Sequence, residues 1–88
     1  MLFAKKMAQS LENLGVKVVR YEESRDLGFM DGEVVLENSL SVQVGHDYAC
    51  LCVVKEDEIE YLLEEEDVLR EEEFARHVAN FLKEKLNI

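Results

Sequence analysis

Helical spacing of apolar residues marks both ends of the chain, and alternation marks its middle. Near the start, four apolar residues recur at helical spacing: Phe3, Met7, Leu11 and Leu14. Gly15 follows at the position where a glycine commonly ends a helix. The pattern therefore predicts a first helix over about residues 2–14, followed by a β-branched strand over residues 16–21.

The alternating middle of the chain predicts an antiparallel meander. Apolar residues occupy even-numbered positions from Val34 to Val54 and odd-numbered positions from Ile59 to Leu63. Residues that pair across a hairpin lie on the same side of a sheet. This phase predicts three cross-strand pairs: Leu36 with Leu40, Val44 with Tyr48, and Val54 with Ile59. The connecting loops would be residues 37–39, 45–47 and 55–58, and a short extra strand over residues 27–30 would precede the turn signal Asp31-Gly32.

The C-terminal part of the chain returns to helical spacing. Its apolar stripe consists of Phe74, Ala75, Val78, Phe81, Leu82 and Leu86. Glutamates at positions 71–73 and lysines at 83 and 85 suit the two ends of a helix dipole. We expect this helix to run from about residue 68 or 70 to 86. The predicted fold class is α+β: a single domain over residues 1–88, with an antiparallel meander of four to five strands flanked by N-terminal and C-terminal helices packed mainly on one sheet face.

One sheet face would then have no helix to cover it. The stretch from Tyr48 to Val54 is apolar on both alternating sides, which is typical of a central strand covered on both faces. In the predicted register, four apolar residues lie on the uncovered face: Val35, Leu51, Val53 and Leu62. A patch of this kind is too apolar for a surface facing water. We therefore expect these residues to support self-association, as in a homodimer.

The charge of the chain is concentrated in one segment. Between Glu56 and Glu73 there are eleven carboxylates and a single base, Arg70, so this segment carries a charge of −10, equal to that of the whole chain. Such a field repels nucleic acid and anionic lipid and attracts basic surfaces. We expect a basic partner protein to contact ten of these carboxylates: Glu56, Asp57, Glu58, Glu60, Glu64, Glu65, Glu66, Asp67, Glu71 and Glu72. The alternative is that this acidic segment binds no partner and is a solvated region that keeps a small protein soluble.

The candidate chemistry is sparse. His46, Cys50 and Cys52 share strand parity, but zinc requires a fourth ligand, and two cysteines in an extended strand hold their sulfurs apart. We interpret the cysteines as buried structural thiols and expect neither metal nor cofactor. No glycine-rich phosphate loop or nucleophile motif is present, and His77 has no evident catalytic partner. We therefore expect no enzymatic activity.

The order of helix, strands and helix resembles that of the double-stranded RNA-binding domain. That family binds RNA with basic residues at loops and at the start of its last helix. Here the last helix begins with Glu71, Glu72 and Glu73, so we expect no direct contact with nucleic acid. The absence of any apolar run near ~20 residues argues against a membrane span. Two cysteines without a secretion signal favour a reducing, cytoplasmic setting.

These observations favour a small acidic, non-enzymatic protein-interaction module. Its carboxylates could act as an inhibitor's docking surface or imitate the phosphates of a nucleic acid. The alternative is a homo-oligomeric structural or accessory protein that self-associates through its exposed sheet face. Salt separates the two, because docking between opposite charges weakens as ionic strength rises and apolar self-association does not.

Overall fold

The computed structural model describes residues 1–23 and 31–85, and in them the predicted α+β architecture is confirmed. One antiparallel sheet has its five strands in chain order. The elements are α1 (Ala4–Asn13), β1 (Val18–Glu23), β2 (Gly32–Leu36), β3 (Leu40–Val44), β4 (Ala49–Val54), β5 (Ile59–Glu65) and α2 (Glu71–Lys85). The predicted strand over residues 27–30 and the helical position of Leu86 lie outside the described residues.

Both helices pack on the same face of the sheet and form one core with it. Met7 and Leu11 of α1, together with Phe74 and Val78 of α2, are buried against alternate residues of the strands. The sheet contributes Val34, Leu36, Leu40, Val42, Val44, Ala49 and Leu51. Burial of each large apolar side chain contributes roughly 1.5–3 kcal/mol, which makes this layer the main source of stability.

A glycine ends α1, and two carboxylates from elsewhere in the chain cap its beginning. Gly15 adopts a φ of 86°, and its N–H donates to Glu12 O at 3.0 Å, so the helix ends with the expected left-handed glycine. At the other end, Ala4 N–H donates to Glu23 Oε1 at 2.6 Å and Phe3 N–H donates to Glu71 Oε2 at 2.7 Å. Carboxylates from β1 and α2 therefore cap a helix whose own first turn has no acidic residue.

Two of the three predicted hairpins are confirmed. The loop between β2 and β3 is residues 37–39, in which Asn38 and Ser39 have φ values of 61° and 63°. The β2–β3 register pairs Val34 with Val42, consistent with the predicted loop. Between β4 and β5, Val54 pairs with Ile59, and Lys55 N–H closes the loop on Glu58 O at 2.9 Å.

The predicted pairing of Val44 with Tyr48 is wrong. Val44 pairs with Ala49, so the loop has one more residue than expected and every side chain of β4 lies on the opposite face from the one predicted. Leu51 faces the helices with 0% exposure, whereas Cys50 and Cys52 face away from them. The error has a physical cause: β4 is apolar at both parities, so alternation alone does not determine its phase.

The face assignment of β5 changes as well. Ile59 pairs with Val54 and Tyr61 pairs with Cys52, so the new phase of β4 places both residues away from the helices. A β-bulge follows, because Leu51 pairs with Leu63, which leaves Leu62 as the extra residue and returns Leu63 to the helix side. Leu62 and Leu63 are partly buried and pack against the core.

Candidate interaction surface

The sheet face opposite the helices is the candidate site, and we call it the outer face. The strand registers place twelve residues on it: Arg20, Glu22, Glu33, Val35, Ser41, Gln43, Cys50, Cys52, Val54, Ile59, Tyr61 and Glu64. Among residues 1–23 and 31–85, both helices lie on the other face. Neither helix therefore covers the outer face of the sheet.

The centre of the outer face is a floor of small buried side chains. Cys50 and Cys52 are free thiols and Ser41 is buried beside them. Ser41 Oγ donates to Glu33 Oε2 at 2.7 Å, and Cys52 Sγ donates to Ser41 O at 3.6 Å. All three side chains are at most 2% exposed, and within the described residues no buried side-chain nitrogen or oxygen lacks a hydrogen-bond partner.

The two thiols at the centre of the outer face change each other's pKa values. A hydrogen bond with Cys52, followed by burial, raises the pKa of Cys50, and the same hydrogen bond lowers the pKa of Cys52. Burial, the neighbouring Cys50 and a hydrogen bond to Glu64 raise the pKa of Tyr48, which lies directly before β4. The three groups and Glu64 therefore form a contiguous cluster at the Glu64 end of the outer face.

At the other end of the outer face, three large apolar side chains are exposed together. Val54 is 42% exposed, Ile59 is 46% exposed and Tyr61 is 52% exposed. Val54 and Ile59 are direct cross-strand partners, and Tyr61 lies beside them on the same face. A cluster of this kind, bordered by charge, is typical of a protein interaction site.

The acidic residues expected to bind a partner are spread along β5 and beyond both of its ends. Glu56, Asp57 and Glu58 form the loop before the strand; Glu60, Glu64 and Glu65 lie on it; and Glu66, Asp67, Glu71 and Glu72 follow it. Since a strand rises ~3.4 Å per residue, the seven residues of β5 extend over about 20 Å. The segment is therefore a row rather than a compact cluster.

Several of these carboxylates already have partners within the chain. Glu58 and Glu60 lie 3.9 and 3.1 Å from Lys55 Nζ, and Glu72 lies 3.6 Å from Arg70. Glu65 pairs with His77 of α2, and Glu71 caps α1. Within the described residues, no ion pair or hydrogen bond engages the side chains of Glu56, Asp57, Glu66 and Asp67. The ten predicted residues therefore divide into structural carboxylates and open ones.

The predicted self-association patch requires correction. Of its four residues, only Val35 lies on the outer face. Leu51 belongs to the core, and Val53 and Leu62 pack partly against that core. The one-residue change in the β4 register and the β5 bulge account for this. Sequence reasoning missed Val54, Ile59 and Tyr61; a four-residue loop before β4 would have found all three, because they lie on the outer face once the phase of β4 is changed.

The predicted candidates for a metal site, His46, Cys50 and Cys52, differ in exposure. His46 is exposed in the loop before β4, while the two thiols are buried on the sheet. Residues 1–23 and 31–85 contain no group of three or more His, Cys, Asp or Glu arranged to hold a metal ion. Over the same ranges, neither helix has the length and hydropathy needed to cross a bilayer.

Comparison with models of protein families, with curated proteins and with solved structures found no match. The functional argument therefore depends on the geometry of the outer face and on the charges around it.

Proposed function

We propose that this chain is a small acidic, non-enzymatic interaction module that binds a basic surface of another protein. The observation that carries the proposal is the outer face: three exposed apolar side chains at one end of it, carboxylates beside them, and both helices on the opposite side. Its two free, buried thiols suit a reducing cytoplasmic setting.

Charge and apolar area have separate roles in this proposal. The net charge of −10 accelerates encounter with a basic surface and disfavours nucleic acid and other acidic partners. Burial of Val54, Ile59 and Tyr61 would contribute roughly 1.5–3 kcal/mol each before the entropic cost of association. Affinity would therefore come from the apolar cluster, and specificity from the carboxylates around it.

A partner that ordinarily binds nucleic acid fits this surface best. Such proteins present lysine and arginine in rows that follow a phosphate backbone. The carboxylates before, along and after β5 form a row of the opposite charge, over about 20 Å of strand. The module would then act as an inhibitor that imitates the charge of a nucleic acid.

The second candidate function is a homo-oligomeric structural or accessory protein that self-associates through the same face. The observation that favours it is the adjacency of Val54, Ile59 and Tyr61, each roughly half exposed. The charges around the patch oppose this arrangement, because Glu60 and Glu64 of two copies would approach each other.

Affinity capture with matched charge variants tests the proposal. Glu64→Gln with Glu66→Gln removes two carboxylates beside the outer face and keeps a hydrogen-bond acceptor for Tyr48. Glu12→Gln with Glu84→Gln removes the same charge from exposed positions on the two helices. We expect the first pair to reduce capture of a basic protein from the source cell and the second to leave it unchanged.

Salt and sedimentation complete this test. Capture by the wild type should decrease as salt rises, because the Debye length shrinks from ~10 Å at 0.1 M to ~3 Å at 1 M. The purified chain should sediment as a monomer at low salt. Equal loss of capture in both charge pairs, or a dimer that strengthens with salt, would favour self-association instead.

A further inference from the structure

The edge of the sheet at β5 has backbone groups whose direction can be deduced. Val54 N–H donates to Ser39 O at 2.9 Å, so the backbone of even-numbered β4 residues is directed at β3. By the alternation of antiparallel ladders, odd-numbered β4 residues are directed at β5 and bond their partners Glu60, Leu63 and Glu65. Apart from Leu62, the extra residue of the bulge, the remaining residues of β5 are Ile59, Tyr61 and Glu64, and their backbone groups therefore point away from the sheet.

This edge is open in the described structure. β5 is the last strand in the sheet order, and among residues 1–23 and 31–85 no strand pairs with its far side. The residues whose backbone points outward are also those whose side chains lie on the outer face. A strand added here would consequently extend the outer face and contact the exposed Ile59 and Tyr61 directly.

We propose that the β5 edge binds an extended, lysine- or arginine-bearing segment of a partner protein by strand addition. This inference builds on the proposed function and specifies how the partner binds. Main-chain hydrogen bonds to Ile59, Tyr61 and Glu64 add to the affinity that the apolar contacts supply, and side chains that alternate between apolar and basic supply specificity. Apolar residues of the segment lie against Ile59 and Tyr61 on the outer face, and basic residues project from the other side of the added strand, where Glu60 lies.

Charge selects against a second copy of this chain at the same edge. Antiparallel pairing of two β5 strands would place glutamates of one copy against glutamates of the other, and like charges in cross-strand pairs are destabilising. The opposite edge, β1, carries Arg20 beside Glu22 at 3.7 Å, so its charges are already paired with each other. Of the two edge strands, β5 therefore carries the larger excess of negative charge, and a basic strand is the partner that this charge favours.

Three synthetic octapeptides of alternating lysine and valine test the proposal. One is unmodified, and the other two carry N-methyl groups on one or the other alternate set of backbone amides. Only one of those sets can face β5 in an added strand, since successive amides point to opposite sides. We expect the unmodified peptide and one methylated peptide to bind alike at low salt, and the other methylated peptide to bind at least about 10-fold more weakly.

Amide hydrogen exchange locates the bound peptide. On addition of the unmodified peptide, the amides of Ile59, Tyr61 and Glu64 should gain protection, and those of β1 should not. Equal binding by all three peptides, with no gain in amide protection at Ile59, Tyr61 and Glu64, would overturn strand addition. The proposed function would remain intact. No binding of any peptide at low salt would count against both.

Variants of Tyr61 provide an independent measurement. Proline is tolerated where an edge N–H faces solvent, so Tyr61→Pro should fold, while Tyr61→Ala removes the same side chain and keeps the N–H. We expect Tyr61→Pro to bind the unmodified peptide several-fold more weakly than Tyr61→Ala, with circular dichroism confirming both folds. Equal affinities would contradict the proposal, and the methylated peptides decide the question if the proline variant does not fold.

Discussion

The two faces of β4 differ far more in surroundings than in composition. Leu51 lies under the helices, in a core with Val42, Phe74 and Val78, while Cys52, the next residue, lies on a face that neither helix covers. Both side chains have 0% exposure. Burial alone therefore does not identify a residue of the helix-covered core. What separates the faces is the layer that packs on each.

The largest expected difference between the faces is in stability. Leu51→Ala should lower the free energy of unfolding by about 2–5 kcal/mol, since it leaves a cavity among well-packed residues. Cys52→Ala removes a smaller group from the outer face, which neither helix covers, and should cost about 1 kcal/mol. Urea denaturation of both variants measures the difference. Equal costs would mean that the outer face is as firmly packed as the core.

The carboxylates divide in the same way, into those that support the helix layer and those that are open. Glu71→Ala removes the acceptor for Phe3 N–H at the start of α1 and should destabilise the protein by about 1–3 kcal/mol. Glu72→Ala, one residue further along, removes only an exposed ion pair with Arg70 and should change stability by less than about 0.5 kcal/mol. Thermal unfolding of both variants is the measurement, and a loss for Glu71→Ala as small as that for Glu72→Ala would mean that Glu71 does not stabilise the helix layer.

High pH should reduce the stability that Tyr48 contributes through its burial beside Cys50 and Glu64. The pKa of Tyr48 is raised in the folded protein above its ordinary value of 10.0, chiefly by burial. Its contribution to stability is therefore complete below pH 10.0 and is lost as pH rises beyond it, because the unfolded chain releases the proton first. We expect a loss of at most about 1.4 kcal/mol per pH unit from this group.

Tyr48→Phe is the matched variant for this pH dependence. It removes the ionisable hydroxyl and should flatten the decrease in unfolding free energy above pH 10.0 while leaving the slope below it unchanged. Denaturant titrations at a series of pH values measure both slopes. An identical decrease in the variant would show that other groups, such as Cys50, dominate at high pH.

The smallest stability effect is expected at the exposed apolar cluster. Ile59→Thr keeps β-branching and removes apolar surface at a side chain that is 46% exposed, so the free energy of unfolding from urea titration should change by less than about 0.5 kcal/mol. Partner binding should nevertheless weaken, because Ile59 lies in the proposed contact. A variant that loses stability but keeps full binding would assign Ile59 to the fold instead.

The sequence was a good guide to elements and a poor guide to the phase of one strand. Spacing of Met7, Leu11 and Leu14 predicted α1, and the loops at residues 37–39 and 55–58 were predicted from pairing constraints. Alternation could not choose the phase of β4, since Tyr48, Cys50 and Cys52 are about as apolar as Ala49 and Leu51. The longer loop before β4 changed the face of every residue in that strand.

The candidate surface was predicted in outline only. Net charge along the chain identified the acidic segment, because charge requires no knowledge of register. The apolar part was assigned to Leu51, Val53 and Leu62, which lie in or against the core. The capping of α1 by Glu23 and Glu71 could not be predicted, since it joins residues 19 and 68 positions apart. Tertiary contacts of this kind leave no local pattern.

Site-specific photo-crosslinking in the source cell tests most directly whether the outer face is the binding surface. A benzophenone amino acid would replace Tyr61, which is 52% exposed on the outer face, or Leu14, which is 44% exposed at the end of α1. The account predicts that Tyr61 gives an adduct with a basic protein and that Leu14, at similar exposure, does not. An adduct of twice the chain's mass from Tyr61 would indicate a second copy, and adducts from Leu14 but not Tyr61 would contradict the account.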